Sequence, residues 1–228
     1  MFGISRHSPG ASLARHRHAE GYAAVVLAGG YVEAGDRGRV IVSAGDVVPH
    51  GAHEAHFNGF GRAGAVVLNL PLPPQLRGGG GAVRVADVDA VARAAERDPM
   101  AAAALLGEST TAPVAGLDDW PDRLARALAD DPALCLRAWS AQIGMAPQSV
   151  SRGFRQLYGV SPKRYRAEQR TLRAIEALLA GPQGLAALAA DLGFADQSHL
   201  TRAVKASTGR PPGRLRVQCV QEGGRGQR

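Results

Sequence analysis

The sequence predicts a two-part chain, β then α: a small antiparallel β-barrel followed by an all-α domain of two helix-turn-helix units. Three observations carry this reading. The first is a fifty-residue echo, in which Ser151-Arg152-Gly153-Phe154 with Gly159, Pro162 and Arg166 returns as Thr201-Arg202-Ala203-Val204 with Gly209, Pro212 and Arg216. Upstream of each copy stands a matching piece, Trp139-Ser140 then Ile143-Gly144, and Leu188-Ala189 then Leu192-Gly193. A short helix, a glycine turn and a second helix, repeated once, is how paired DNA-reading helices are built. The second observation is a set of short β-rich runs separated by glycine turns before residue 72. The third is a break from Pro71 to Gly81, with prolines and four consecutive glycines, which reads as a linker.

The elements follow in order. Tyr22 to Leu27, Arg39 to Ser43, Asp46 to Val48 and Ala65 to Leu70 are the predicted strands, with Gly-Gly, Gly-Asp-Arg-Gly and Ala-Gly-Asp as turns. Val85 to Leu106 is Ala-rich and helical in character, split by Pro99, and Thr110 to Gly116 is a loop. Asp119 caps a helix to about Ala129, with Pro121 in its first turn. Leu136, Trp139 and Ile143 mark the next helix, Ser140 lets its neighbour approach, and Gly144 ends it. Pro147 opens a helix to about Tyr158 that buries Val150, Phe154 and Leu157. Ser161-Pro162 begins a long helix to about Ala180, with Tyr165, Leu172, Ile175 and Leu179 inward, ended by Gly181-Pro182. Leu188, Ala189 and Leu192 build the first helix of the second unit, and Asp196 caps its second, which buries Leu200 and Val204. The domains are therefore expected at 1–75 (β-rich), 76–118 (linker and helical segment), 119–216 (paired helix-turn-helix units) and 217–228 (flexible tail).

Charge divides along the same line. Residues 132–216 hold 13 Lys or Arg against 4 Asp or Glu, whereas residues 1–131 hold 12 against 15. Only the C-terminal half is expected to meet a polyanion. The first 21 residues have no apolar run of the secretory kind, no stretch reaches the ~18 apolar residues of a membrane span, and a cytoplasmic location is expected. The two cysteines have no metal-site spacing; Cys135 is expected to pack as a small apolar residue and Cys219 to lie near the tail.

On the faces opposite the apolar positions stand Gln148, Ser151 and Arg152 in the first unit, and Gln197, Ser198, Thr201 and Arg202 in the second. Gln can pair with adenine and Arg with guanine, and Ser or Thr can bond base or phosphate. Lys163, Arg164, Arg170, Lys205, Arg210 and Arg214 are expected at phosphates or in solvent.

Residues 132–216 resemble the AraC/XylS family of bacterial transcription regulators. The most specific stretch is Gly193-Phe194-Ala195-Asp196-Gln197-Ser198-His199-Leu200-Thr201-Arg202, followed by Lys205, Gly209, Pro212 and Arg216. Leu200 and Val204 stand where the family often has aromatics, and Ala146 where a Ser usually caps the first recognition helix. The resemblance implies two helix-turn-helix subdomains on one long helix, the seven residues above at the bases, double-stranded promoter DNA as partner, RNA polymerase if the protein activates and an unknown small-molecule effector; the Ala-rich stretch from Val85 to Leu106 suits either a homodimer contact or domain packing. The N-terminal region resembles the small cupin-like sensor barrel of such regulators. His16-x-His18 after Gly10 is similar to the first cupin motif, with Glu20 earlier than the usual ligand, and Gly45-Asp46 with Pro49, His53 and His56 to the second.

Six of the seven histidines fall in the first 56 residues. His16, His18, His53 and His56 are the candidate pocket residues: such imidazoles can converge on a divalent metal, line a polar effector pocket or stand at a strand edge. No cofactor is required for DNA reading, and no catalytic nucleophile arrangement or phosphate-cradling glycine motif is present. The leading function is an effector-modulated, sequence-specific transcription regulator. The alternatives are a metal-dependent cupin enzyme fused to a DNA-binding domain, and a non-specific architectural DNA binder.

Overall fold

The structure, a computed structural model, describes residues 2–78, 81–181 and 183–215. Arg216 of the echo, Pro182, two glycines of the run at 78–81, Cys219 and the tail lie outside the described residues.

Eight strands form one sheet: β1 (Gly3–His7), β2 (Ser12–Arg17), β3 (Tyr22–Gly35), β4 (Gly38–Ser43), β5 (Asp46–His50), β6 (Ala55–Pro71), β7 (Val83–Val85) and β8 (Thr110–Pro113). The closed barrel expected from strand spacing is not formed. The sheet is open, in the order β1-β6-β3-β5-β7-β8, with β2 on β6 and β4 on β3 as side pairings. The long strands β3 and β6 pair with each other almost throughout. Each changes its other partner midway, β3 from β5 to β4, and β6 from β2 to β1. The change falls at register shifts around Val26 to Tyr31, where the sheet divides into two leaves. The Gly-Gly expected as a turn lies inside β3. A Cβ at Gly29 would stand 2.1 Å from the Gly64 carbonyl oxygen, and both residues have left-handed φ, 71° and 64°. Only glycine allows that approach without strain.

Strand alternation gives each leaf two faces. Ala24, Val26, Tyr31, Val48, Phe60 and Val67 pack on the inner side. On the outer side of the larger leaf, Ala23, Val25, Val47, Leu68 and Leu70 pack against α1 (Val88–Ala95) and α2 (Pro99–Glu108) through Val91, Ala102 and Leu106. Asp87 caps α1 by accepting from Ala90 N at 2.8 Å, and Asp98 caps α2 ahead of Pro99. After the glycine run the chain returns to the sheet, since β7 pairs with β5, and part of the expected 110–116 loop is strand β8 on β7.

Among the described residues six further α-helices follow: α3 (Trp120–Asp130), α4 (Leu136–Gln142), α5 (Pro147–Tyr158), α6 (Pro162–Ala180), α7 (Leu185–Asp191) and α8 (Gln197–Thr208). Leu124, Ala125 and Leu128 of α3 meet Val150, Phe154, Tyr158 and Tyr165 in one core, and Ala34 of β3 joins it from the outer face of the smaller leaf. A second core joins Ala174, Ile175 and Leu178 of α6 to Leu188, Leu200 and Val204. Two expectations are corrected here. Leu178 rather than Leu179 is buried, and Cys135, just before α4, is exposed rather than packed.

Candidate nucleic-acid interface and a histidine-lined cavity

The two units are built by the same backbone bonds. Gly144 takes φ 67° and Gly193 φ 70°. Just after each, Met145 N donates to Ser140 O at 3.0 Å and Phe194 N to Ala189 O at 2.9 Å. Ser140 is fully buried and Ala189 nearly so, as a close helix crossing requires. The recognition helices end alike, on Gly159 and Gly209 in the left-handed conformation. They begin differently: the Asp196 carboxylate accepts from His199 N at 2.6 Å, whereas Ala146 caps α5 with no side-chain bond.

The buried stripes Val150, Phe154, Tyr158 and Leu200, Val204 orient the opposite faces. Gln148, Arg152, Gln197, Ser198 and Arg202 are exposed, and Ser151 and Thr201 half-buried. Among the described residues neither Arg152 nor Arg202 has an ion pair, so both guanidiniums are free to meet an acceptor. Arg170 is placed otherwise than expected. It donates to Gly193 O at 2.5 Å and lies over the Phe194 ring, tying the long helix α6 to the second turn. Arg164 pairs with Glu168 at 2.7 Å.

The N-terminal half contains a cavity of about 450 Å³ between the two leaves, and His16, His18, His50, His56, Glu33 and Asn58 supply its polar lining. Strand register brings them there: His16 stands opposite His56, and Glu33 opposite Asn58. Nitrogens of His16, His18 and His56 lie within 4.8 Å of one another. His53 does not join them. It occupies a turn at φ 66°, outside the cavity lining, where burial, then the charges of Arg17 and Arg210, lower its pKa.

His50 was not singled out from sequence, yet its ring packs 4.2 Å from that of His56 and stacks on Tyr22. Its Nε2 lies 3.4 Å from Glu33 Oε2. Burial lowers His50 to about 3 and raises Glu33 to about 8, so the contact joins a neutral imidazole to a carboxylic acid at neutral pH. Burial likewise holds His18 and His56 below the ordinary imidazole value. His56 Nδ1 is buried with no hydrogen-bond partner among the described residues, while Nε2 meets the Tyr22 hydroxyl at 3.3 Å. Neutral nitrogens, one of them lacking a partner, are donors ready for a metal or a hydrogen-bonding ligand.

The smaller leaf separates this cavity from the helices. On β2, His16 faces the cavity, while Arg15 and Arg17 lie on the other face. Arg15 is almost fully buried, bonding Glu168 at 2.9 Å, Ala34 O at 3.0 Å and the Asp36 carboxylate. Arg17 reaches Ser207 of α8 and lies 3.7 Å from Glu168. Nearby, Arg39 of β4 makes two 2.9 Å bonds to Asp122, which also accepts from the Tyr158 hydroxyl at 2.9 Å.

Two matched helix-turn-helix units with exposed polar recognition faces, joined by one long helix, define a double helix-turn-helix DNA-binding domain. Residues 139–218 match the family described as "Helix-turn-helix domain". This C-terminal part of the chain is similar to regulators of the AraC/XylS type. It is similar to the virulence regulon transcriptional activator VirF of Yersinia enterocolitica and to the thermoregulatory protein LcrF of Yersinia pestis. Each is 28% identical over 85 residues, 37% of this chain and 31% of the relative, so the match spans under a third of their length. Among solved structures, fatty-acid-bound ToxT of Vibrio cholerae aligns at 10% identity over 94% of each chain, with a TM-score of 0.43. An AraC-type regulator of Chromobacterium violaceum aligns at 20% identity over 43% of this chain and 89% of its own, with a TM-score of 0.40. No described helix is long and apolar enough to cross a membrane.

Proposed function

We propose that the protein is a sequence-specific transcription regulator whose two recognition helices read one asymmetric DNA site, under the control of a ligand in the N-terminal cavity. The observation that carries this reading is the placement of exposed Gln148 and Arg152, and Gln197 and Arg202, on two frames with the same turn bonds. A non-specific binder needs only the basic surface, not matched readers. The matched relatives are named for transcriptional activation and thermoregulation rather than catalysis. For the ligand, His16, His18 and His56 fit a divalent transition metal: three imidazoles close together, one with an unpartnered buried nitrogen.

The test is selection of a DNA site from a random pool, followed by titration of Arg152→Ala and Arg202→Ala. Each variant is expected to lose about 1 to 3 kcal/mol and to relax base preference at a different position. If both bound the selected site as the parent does, the reading would fail.

A further inference from the structure

The wall between the cavity and the DNA-binding half is a single layer of backbone. Strands β2, β6 and β3 present His16, His56, Asn58 and Glu33 to the cavity. The residues between them face the helices. Arg15 and Arg17 bond Glu168 and Ser207, Phe57 packs on the Gly159 turn, and Ala34 enters the helical core. A shift of β2 that changes the imidazoles must therefore change the guanidiniums, because neighbouring residues share one backbone.

The two helix-turn-helix units are held differently. The first is fixed to the sheet by the Arg39 and Asp122 pair, Phe57 and Ala34. The second is reached from β2 through Arg17 and Ser207, in the last turn of α8. Glu168, midway along α6, receives both β2 arginines. The first unit also meets β2, through Arg15 at the Gly159 turn and over the Tyr165 ring, but it keeps its ties to β3, β4 and β6, whereas Arg17 is the β2 side chain that reaches α8.

Resting on the reading of the histidine trio as a metal site, we infer that β2 is the transmission element: metal captured by His16, His18 and His56 draws β2 inward, releases Arg17 from Ser207, and resets α8 relative to α5. The geometry favours such a movement. The ligand nitrogens lie within 4.8 Å of one another, whereas two nitrogens on a tetrahedral ion at ~2.0 to 2.1 Å stand about 3.4 Å apart, so capture draws the rings and the strand that carries two of them together. Two of the three ligands enter on or just beyond β2, and the third sits on β6. Two recognition helices on successive major-groove segments must keep a fixed spacing, so a reset of α8 changes DNA affinity.

The experiment titrates the full chain with its own selected DNA site, with and without zinc ion, for the parent, Arg17→Ala and Ser207→Ala. Zinc uptake is measured in parallel. Parent affinity should change fivefold or more on zinc addition. Both variants should take up zinc as the parent does. Without zinc they should already bind DNA with the affinity of zinc-loaded parent, and zinc should change this by less than about twofold. Parental zinc response in both variants, with parental uptake, overturns the transmission proposal and leaves the metal reading intact. A parent that takes up no zinc overturns both. Circular dichroism of the two surface-reaching variants checks folding, and an unfolded Arg17→Ala leaves Ser207→Ala to decide.

Discussion

At the scale of single residues, the Arg39 guanidinium lies against the buried Asp122 carboxylate and ties two distant parts of the chain. Burial alone would raise Asp122, but the hydrogen bonds from Arg39 and Tyr158 outweigh it and hold the group below its ordinary range. The pair joins strand β4 to helix α3 across 83 residues of chain. Removing one partner of such a pair leaves the other charge buried, at a cost of about 3 to 5 kcal/mol. Arg39→Met is expected to lower the urea midpoint by an equivalent amount, and Arg39→Met with Asp122→Leu to recover a large part of it. Equal loss in single and double variants would show that the pair matters for shape rather than charge. Sequence could not reveal this partnership, because nothing local in Gly38-Arg39-Val40 distinguishes a buried arginine from a solvated one. The same holds for Arg170, whose bond to Gly193 depends on two helices meeting.

Among the elements, the helices were legible because caps, glycine stops and 3.6-residue periodicity are local signals. Pro147, Ser161-Pro162 and Asp196 lie at helix starts as read. The strands were less legible. Gly29-Gly30 carries a turn signal, yet its role is close passage past Gly64, a contact between distant strands. β1 and β2 were not predicted, since Ser-Arg-His and Ala-Arg-His-Arg have few apolar residues; β2 is polar on both faces because one faces a cavity and the other an ionic interface. Sequence spacing points to His53 rather than His50, because it does not show that the chain turns at His53 and that His50 lies inward on β5. Helix α5 carries the one recognition-helix start without a side-chain acceptor, at exposed, extended Ala146. Ala146→Ser is expected to stabilise the chain by about 1 kcal/mol, raising the melting temperature by ~2 to 4 °C. Calorimetry of the two proteins checks this, and no rise would mean the new hydroxyl bonds water instead.

Over the whole molecule, the two halves are joined through ionised groups, which makes their union sensitive to acid. Burial works to raise Glu168, but the guanidiniums of Arg164 and Arg15 prevail and hold it below its ordinary value of 4.5. A carboxylate depressed in the folded state contributes stability that is present above the unfolded value and lost as pH falls through the folded one. Glu168 therefore weakens the union as pH falls below about 4.5, and Asp122 as it falls below about 3.8. Asp36 acts in the opposite sense, since its burial outweighs the Arg15 charge and raises it. The net expectation is a urea midpoint that falls between pH 5 and pH 3. In Glu168→Gln the fall should be shallower, and identical slopes in the two proteins would remove Glu168 from the account.

The alternation along β2 also limits how this chain can vary in evolution. Between Leu13 and His16 the pairing with β6 shifts register, and that irregularity sets which side each later residue faces. Insertion or deletion of one residue there would turn the arginines into the cavity and the imidazoles onto the helices, a double inversion with no viable intermediate. Point substitutions in this segment are open to selection one at a time, whereas length changes are closed. Lineages descended from such a chain should therefore keep an unbroken count of residues from Leu13 to His18.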